Sequence, residues 1–278
     1  MKKYGFYLTS FLLSVFLLTS CVEGGGNTQE AIGFGLLDYG GKNGYTPVIK
    51  CPNSHIYSPT LLTLINSGKL NIGSSYLFYY RIDYDQPDNA ASVIEANGYQ
   101  TISLLNIAEL ATYYLNERLT NINSMFPDEL TIINGCDGVS FIDNHLFVIQ
   151  TIAHPDDWNL TWDMSYDGSE ITPTEVYDKR YYDVFVRARA IEKTDNKEYI
   201  EVQYVNVYYV HDFLAKIAHK EESYLGSSYN KEKQSFEVRF NFIKDVDKET
   251  DEIIWESSIV SFNVFQFAAL YTGSNSDD

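Results

Sequence analysis

Alternation of apolar and polar residues is clearest in the second half of the chain. Residues 181–191 and 236–243 place apolar side chains at every second position, with charged or amide side chains among those between them. A strand of this kind has one buried face and one wet face, which is typical of an antiparallel sheet. Further stretches rich in aromatic and β-branched residues also predict strands. These are 129–133, 139–152, 159–166, 199–210 and 253–267.

The first half of the chain also predicts strands, and one of them is apolar on both faces. Residues 31–39 and 45–51 are predicted strands joined by a glycine-rich turn. In 76–84, Tyr76 and Phe78 face one side, but the opposite side is also partly apolar. A strand that is apolar on both faces suits the wall of a barrel or a surface between domains.

Helical patterns are rare. The apolar residues of 108–118 have nearly helical spacing and predict one helix, and 212–221 predicts a second, short one. Residues 93–107 are predicted as a strand pair or one bent strand, with a hairpin turn at Asn97-Gly98.

A break in the pattern at 121–127 predicts a linker between two domains. The domain before it is predicted to span 31–120, and the domain after it 127–272. Seven strands separated by turn-rich loops in the second domain indicate a β-sandwich. The prediction is therefore an all-β chain, a small barrel followed by an antiparallel β-sandwich, with one or two short helices.

The N-terminal segment has the features of an export signal. Lys2 and Lys3 precede the apolar run 4–18, which is shorter than the about 20 residues that span a bilayer. The run ends in Leu-Thr-Ser-Cys21, which resembles a bacterial lipobox. The resemblance implies that 1–20 is a lipoprotein signal peptide and that Cys21 is lipidated. An ordinary secretory signal that contains a cysteine is the alternative.

The residues after Cys21 predict a tether and a location. Residues 21–30 are polar and glycine-rich, a composition typical of flexible linkers. Val22 stands where an aspartate would retain the protein in the inner membrane of enteric bacteria. Glu23 resembles the acidic residue of surface-export signals in Bacteroidetes lipoproteins. The expected location is the outer membrane of the cell envelope, with surface exposure left open.

Charge narrows the range of partners. The chain carries a net charge of −18, and loss of Lys2 and Lys3 with the signal would take it to −20. Nucleic-acid binding depends on lysines and arginines that neutralise phosphates, so this balance argues against a nucleic-acid partner. Solubility near a cell surface explains the acidic residues, and calcium loading is the alternative.

The chain resembles the NigD-like lipoproteins of gut Bacteroidetes. Besides the lipobox, the resemblance rests on 69–77 and 99–107 in the first half and on 128–132 and 141–148 in the second. It implies an OB-like barrel followed by a β-sandwich, on an envelope lipoprotein without an established activity. No catalytic residue carries over from the family.

One motif resembles a catalytic site. His154-Pro155-Asp156-Asp157 follows an apolar strand, as in zinc-dependent N-acetylglucosamine deacetylases. That resemblance implies His154 and Asp157 as zinc ligands and Asp156 as the base for a zinc-bound water. The alternative is a Pro-Asp-Asp turn between strands. Outside this motif, the histidines show no metal-ligand spacing.

Two acidic segments raise the question of calcium. Oxygen ligands at alternate positions suit calcium, but a solvated turn between strands is the preferred interpretation of both segments. The carboxylates concerned are Asp245, Asp247, Glu249 and Asp251 in one segment and Asp83, Asp85 and Asp88 in the other.

Tyrosines and cysteines leave further alternatives open. Tyrosines on predicted strands form either a sugar-stacking platform or ordinary core pairs. They are Tyr181, Tyr182, Tyr204, Tyr208 and Tyr209. Cys51 and Cys136 form a disulfide or remain free thiols.

The sequence predicts a lipid-anchored envelope protein with a non-enzymatic accessory or binding role. Its expected partners are the membrane, through the lipid on Cys21, and a glycan or an envelope protein. No cofactor and no metal are expected. A glycan-binding or adhesin-type module is the first alternative, and a zinc-dependent hydrolase using 154–157 is the second.

Overall fold

The computed structural model describes residues 26–117, 124–167, 171, 173–177, 179–195, 198–225 and 235–263. The predicted signal peptide and Cys21 lie outside these residues. The chain divides into two compact units, which we describe separately. The N-terminal unit contains residues up to Thr112 together with Ser140–Asp143, and the C-terminal unit contains Tyr113–Val139 and the residues from Asn144 onward.

The N-terminal unit is a nearly closed barrel. Its strands are β1 (Thr28–Gly40), β2 (Thr46–Cys51), β3 (Ser54–Tyr57), β4 (Ser75–Asp83), β5 (Gln100–Thr101) and β6 (Ser103–Glu109). They are ordered β5-β3-β2-β1-β4-β6 in one sheet. Because β5 and β6 follow each other with only Ile102 between them, one chain segment lies at both ends of the sheet. The predicted small barrel is confirmed.

Alternation along β4 builds the barrel core. Tyr76, Phe78 and Ile82 are buried, whereas Tyr79 on the opposite face is exposed. The buried side chains pack against Leu37 of β1 and others. On β1, Gly35 lies so close to β2 that a Cβ would come within 2.4 Å of the Lys50 carbonyl oxygen. Only a glycine allows this approach.

The helices of the N-terminal unit differ from the prediction. Helix α1 (Pro59–Asn66) begins with a proline at its first turn, and α2 (Ala91–Asn97) ends at Gly98, which has φ +77°. Asn97-Gly98 is therefore a helix C-terminus and not the predicted hairpin turn. The same dipeptide suits both, since glycine adopts the positive φ that a helix end or a tight turn requires. Residues before it that were predicted as a strand form α2.

The C-terminal unit is a strand-rich domain built on one extended sheet. Its strands are β7 (Thr112–Glu117), β8 (Glu129–Leu130), β9 (Ile132–Ile142), β10 (His145–Pro155), β11 (Asn159–Tyr166), β12 (Thr174–Val176), β13 (Lys179–Glu192), β14 (Tyr199–Tyr209), β15 (Ser235–Val246) and β16 (Ile253–Asn263). The sheet order is β16-β15-β13-β11-β7-β14-β10-β9, with β8 and β12 pairing with β13. The all-β prediction is confirmed, although β7 pairs with β11 and β13 with β15 in parallel.

Two predicted helices have opposite outcomes. The helix predicted over 108–118 is wrong, because β6 and β7 occupy most of these residues. Pairing of β7 with β11 overrides the helical spacing, and aromatic residues favour strands. The helix predicted at 212–221 is confirmed as α3 (His211–Leu225). Phe213 of α3 packs on Tyr166 with ring centroids 4.7 Å apart.

Among the residues described, no helix has both the length and the apolarity needed to cross a membrane.

Asp183 of β13 joins three segments of the C-terminal unit through hydrogen bonds. Its carboxylate accepts from both sides of the Arg239 guanidinium (2.6 and 2.8 Å), from Asn241 (2.8 Å) and from Thr174 (2.6 Å). Partial burial raises the pKa of Asp183, but these donors outweigh it and lower the pKa below 3.8. The ionised form is therefore favoured by folding.

We expect Asp183 to make folding stability depend on pH in the acid range. Because its folded pKa is lowered, its contribution is present above 3.8 and is lost as the pH falls through the folded pKa. Asp183→Asn should flatten the decline of the free energy of unfolding below pH 3.8. Urea unfolding at a series of pH values measures this. An unchanged pH slope in the variant would contradict the assignment.

Candidate functional site

The His154 motif lies at the end of β10, and its histidine belongs to the interior. His154 is only 2% exposed. Its Nδ1 lies 2.6 Å from the Pro155 carbonyl oxygen, which only accepts, so Nδ1 carries the proton. Its Nε2 therefore accepts from the Tyr204 hydroxyl, also at 2.6 Å. Both ring nitrogens are engaged, and this arrangement leaves no lone pair for zinc.

Asp156 and Asp157 are exposed in the turn that follows β10. Within the described ranges, no three metal-ligating side chains converge on one point. The residues of 154–157 thus do not fit the zinc site that the motif implied. They fit the alternative, a turn between strands. The imidazole of His154 is buried and the carboxylates of Asp156 and Asp157 are exposed, so they do not face one metal ion.

The acidic segments form self-capped turns. Asp247 accepts hydrogen bonds from the backbone N–H groups of Glu249 (2.8 Å) and Thr250 (3.1 Å), which lower its pKa. Asp83 accepts from the N–H of Asp85 at 3.0 Å in the same way. In the part of the chain that is described, these carboxylates do not gather into a metal-binding group. Their arrangement favours the solvated-turn interpretation over calcium.

Of the two alternatives for the five tyrosines, the structure favours core pairs over a shared sugar-stacking platform. Tyr181, Tyr182 and Tyr208 are buried. Tyr182 donates a 2.5 Å hydrogen bond to Glu221 of α3, so its ring and its hydroxyl both belong to the core. Burial also raises the pKa of Tyr208. Since side chains alternate along a strand, Tyr208 and Tyr209 face opposite sides of β14 and cannot share a surface.

The two remaining cysteines are free thiols. Cys51 belongs to the N-terminal unit and Cys136 to the C-terminal unit. Burial raises the pKa of the Cys51 thiol to about 12 and also raises that of Cys136. Of the two alternatives, the disulfide does not form in this structure, and neither thiol is activated as a nucleophile.

Aromatic and imidazole rings gather around Tyr209 in the C-terminal unit. The Tyr209 ring centroid lies 5.8 Å from that of Tyr114, 5.4 Å from His145 and 6.1 Å from His211. We call these four residues the tyrosine–imidazole cluster. His211 is nearly parallel to Tyr209, at 20°, and its Nδ1 lies 2.9 Å from Oδ1 of Asp212.

Strand register brings the cluster together. His145 and Tyr209 are directly paired across β10 and β14. His211 begins α3 two residues beyond Tyr209. Tyr114 comes from β7, the neighbour of β14 in the sheet. Tyr114 was not predicted as a site residue because the spacing of 108–118 indicated a helix, and the histidines are scattered along the sequence.

Exposure and electrostatics suit the cluster to non-covalent binding. Tyr114 is 68% exposed, whereas Tyr209 is partly buried. Partial burial, followed by the charges of Asp212 and Tyr114, raises the pKa of Tyr209. Its phenol therefore stays protonated and can donate a hydrogen bond. Tyrosine combines a flat apolar ring with a polar hydroxyl, so it can contact ligands that have both apolar and hydrogen-bonding groups.

Residues 25–108 match the family model described as "Lipoprotein OB domain". The N-terminal unit thus resembles a lipoprotein OB domain. This match confirms the predicted OB-like barrel and the predicted resemblance to Bacteroidetes lipoproteins. Of the pieces that carried the resemblance, 69–77 leads into β4, and 99–107 covers β5 and most of β6. No curated protein matches the sequence.

Three solved structures from Parabacteroides and Bacteroides species are similar to the chain over more than residues 25–108. An uncharacterised protein from Parabacteroides merdae has a TM-score of 0.64 and 19% identity, covering 84% of this chain and 99% of its own. A candidate lipoprotein from Bacteroides fragilis has a TM-score of 0.50 and 8% sequence identity, and the match covers 85% of this chain and 98% of that one. A NigD-like immunity protein from Bacteroides caccae has a TM-score of 0.44 and 10% sequence identity, and the match covers 84% of this chain and 96% of that one. At such identities the likeness concerns the fold alone.

Proposed function

We propose that the chain is a lipid-anchored protein of the bacterial cell envelope with a non-enzymatic accessory or binding role. The match to a lipoprotein OB domain carries this proposal, because the matched residues begin at 25, just after Cys21. Two independent features thus support one anchor: the Leu-Thr-Ser-Cys21 sequence and the domain that follows it.

The anchor has a simple physical basis. Each buried CH₂ of an acyl chain contributes about 0.8 kcal/mol, and stable anchoring requires more than one chain or a second signal. A cysteine with two or three chains meets this requirement. Since the chain is acidic, its charge repels an anionic bilayer and the lipid must supply the attachment. Val22 and Glu23 support the outer membrane as the site of anchoring.

The binding role is supported by the tyrosine–imidazole cluster. Its rings and hydrogen-bonding tips suit recognition of a ligand, and the thiols and His154 are held in unreactive states. A zinc-dependent hydrolysis using 154–157 has no support in this geometry, so we do not propose it.

Cys21→Ser should abolish anchoring. We expect the unmodified chain to incorporate palmitate and to sediment with membranes, and the variant to be unlabelled and released by washing, because the acyl chains supply the attachment. Labelling with an alkyne-tagged palmitate and fractionation of the cells measure both properties. Cys136→Ser is the matched control and should keep the label, since that thiol is unrelated to the signal. A labelled Cys21→Ser variant would contradict the proposal.

Orientation is tested by protease treatment of intact cells, with lysed cells as the control. Loss of the protein from intact cells indicates a surface location and extracellular partners. Loss only after lysis indicates a periplasmic location, and excludes an adhesin.

A further inference from the structure

We infer that the tyrosine–imidazole cluster is a carbohydrate-binding site, which takes the ring faces of a neutral oligosaccharide. The inference deepens the proposed binding role and rests on it. It concerns residues that belong to one unit and to strands whose positions are fixed by the sheet.

The rings of Tyr114, His145 and His211 each contact the ring of Tyr209. Ring centroids of neighbouring members are 5.4 to 6.1 Å apart. A group held between two rings needs about 7–8 Å, since carbon atoms in contact are about 3.5–4.0 Å apart. Between Tyr209 and each of these neighbours there is therefore no room for a ligand group, so a ligand must contact the outer faces of the rings.

The most accessible ring is at the edge of the cluster. Tyr114 is 68% exposed, so a face of its ring is open to a flat ligand. The Tyr209 ring packs against that of Tyr114 at 60°, and the His211 ring stacks on Tyr209 at 20°. A sugar ring can therefore stack on the exposed face of Tyr114.

Polar groups line the same surface. The Tyr209 phenol is held protonated, and Asp212 is exposed beside His211. A pyranose ring presents C–H groups on its face and hydroxyls at its rim. Aromatic faces beside a few polar groups match this alternation, as in small-molecule sites in general. The net charge of −18 opposes phosphorylated ligands, which would otherwise stack on the same rings.

Isothermal titration of the full chain in detergent micelles tests the inference. The probes are cellohexaose, maltohexaose, xylohexaose and laminarihexaose. We expect at least one of them to bind, and Tyr114→Ala to raise its Kd about tenfold, as loss of an aromatic contact does. Tyr114→Phe should stay within about twofold, because stacking needs the ring and not the hydroxyl.

Tyr177→Ala is the matched control. Tyr177 is 96% exposed and lies in the same unit, so its loss should not change the Kd. The inference is overturned if no hexasaccharide binds, if Tyr114→Ala binds as tightly as the unmodified chain, or if Tyr177→Ala weakens binding equally.

The outcomes for the anchor and for the sugar site are distinguishable. Palmitate on Cys21 without sugar binding overturns only the inference about the cluster. Sugar binding by a chain that is not lipidated leaves the cluster in place and removes the proposed anchor.

Discussion

Glu129→Ala should lower the free energy of unfolding of the C-terminal unit by about 3–5 kcal/mol, the usual effect of breaking a buried ion pair. Glu129 Oε2 lies 2.8 Å from Nη1 of Arg187, and the two side chains are only 1% and 2% exposed. Removal of the carboxylate would leave a guanidinium charge in the interior without its counter-ion.

The surroundings of Arg187 make relaxation difficult. Its guanidinium lies over the rings of Phe126 and Trp255, with distances of 5.1 and 5.4 Å to the centroids. Glu129 also accepts a 2.7 Å hydrogen bond from the Phe126 N–H, so the same carboxylate holds the segment that leads into β8. Loss of Glu129 thus removes two charge-assisted contacts at once.

Urea unfolding followed by tryptophan fluorescence measures the effect. All three tryptophans of the chain, Trp158, Trp162 and Trp255, lie in the C-terminal unit, so the signal reports that unit. Glu256→Ala is the matched control, because its ion pair with Lys244 is about half exposed (49% and 44%). Exposed pairs contribute about 0–1 kcal/mol.

A double variant separates burial of a lone charge from loss of packing. Glu129→Leu with Arg187→Met replaces the pair by apolar side chains, and it should recover most of the lost stability. If Glu129→Ala unfolds no more easily than Glu256→Ala, the buried pair does not stabilise the unit.

Strands and buried faces were predictable from the sequence where one periodicity dominates. The alternation of 236–243 predicted the buried face of β15, and Phe236, Val238 and Phe240 are indeed buried. A period of two leaves only one way to bury the apolar positions, so local sequence is sufficient.

Pairing of strands was not predictable in the same way. The parallel pairing of β13 with β15 joins segments separated by the whole of β14 and α3. The tyrosine–imidazole cluster depends on such pairings, because Tyr114, His145 and Tyr209 come from three distant strands. A single sequence contains no register information between them. The short helices α1 and α2 escaped prediction because seven or eight residues show too little periodicity.

Gly135 of β9 leads to the second large effect, because Phe242 occupies the space of its missing side chain. A Cβ at this position would lie 2.1 Å from Cγ and Cδ1 of the Phe242 ring. Phe242 is buried in β15, and Cγ is fixed to the backbone by a single atom, so rotation of the ring does not clear the clash. Gly135→Ala should therefore destabilise the C-terminal unit by about 1–3 kcal/mol, as overpacking does.

Gly138 of the same strand provides the matched control. A Cβ there would meet only the Ile149 side chain, with Cδ1, its flexible far end, at 3.3 Å and Cγ1 at an ordinary 3.8 Å. Gly138→Ala should be nearly neutral or stabilising by up to about 1 kcal/mol, because alanine reduces the entropy of the unfolded chain. The same fluorescence-detected urea unfolding measures both variants. Equal stabilities of the two would show that β9 and β15 can separate enough to admit a methyl group, and that the packing of Phe242 against Gly135 is not rigid.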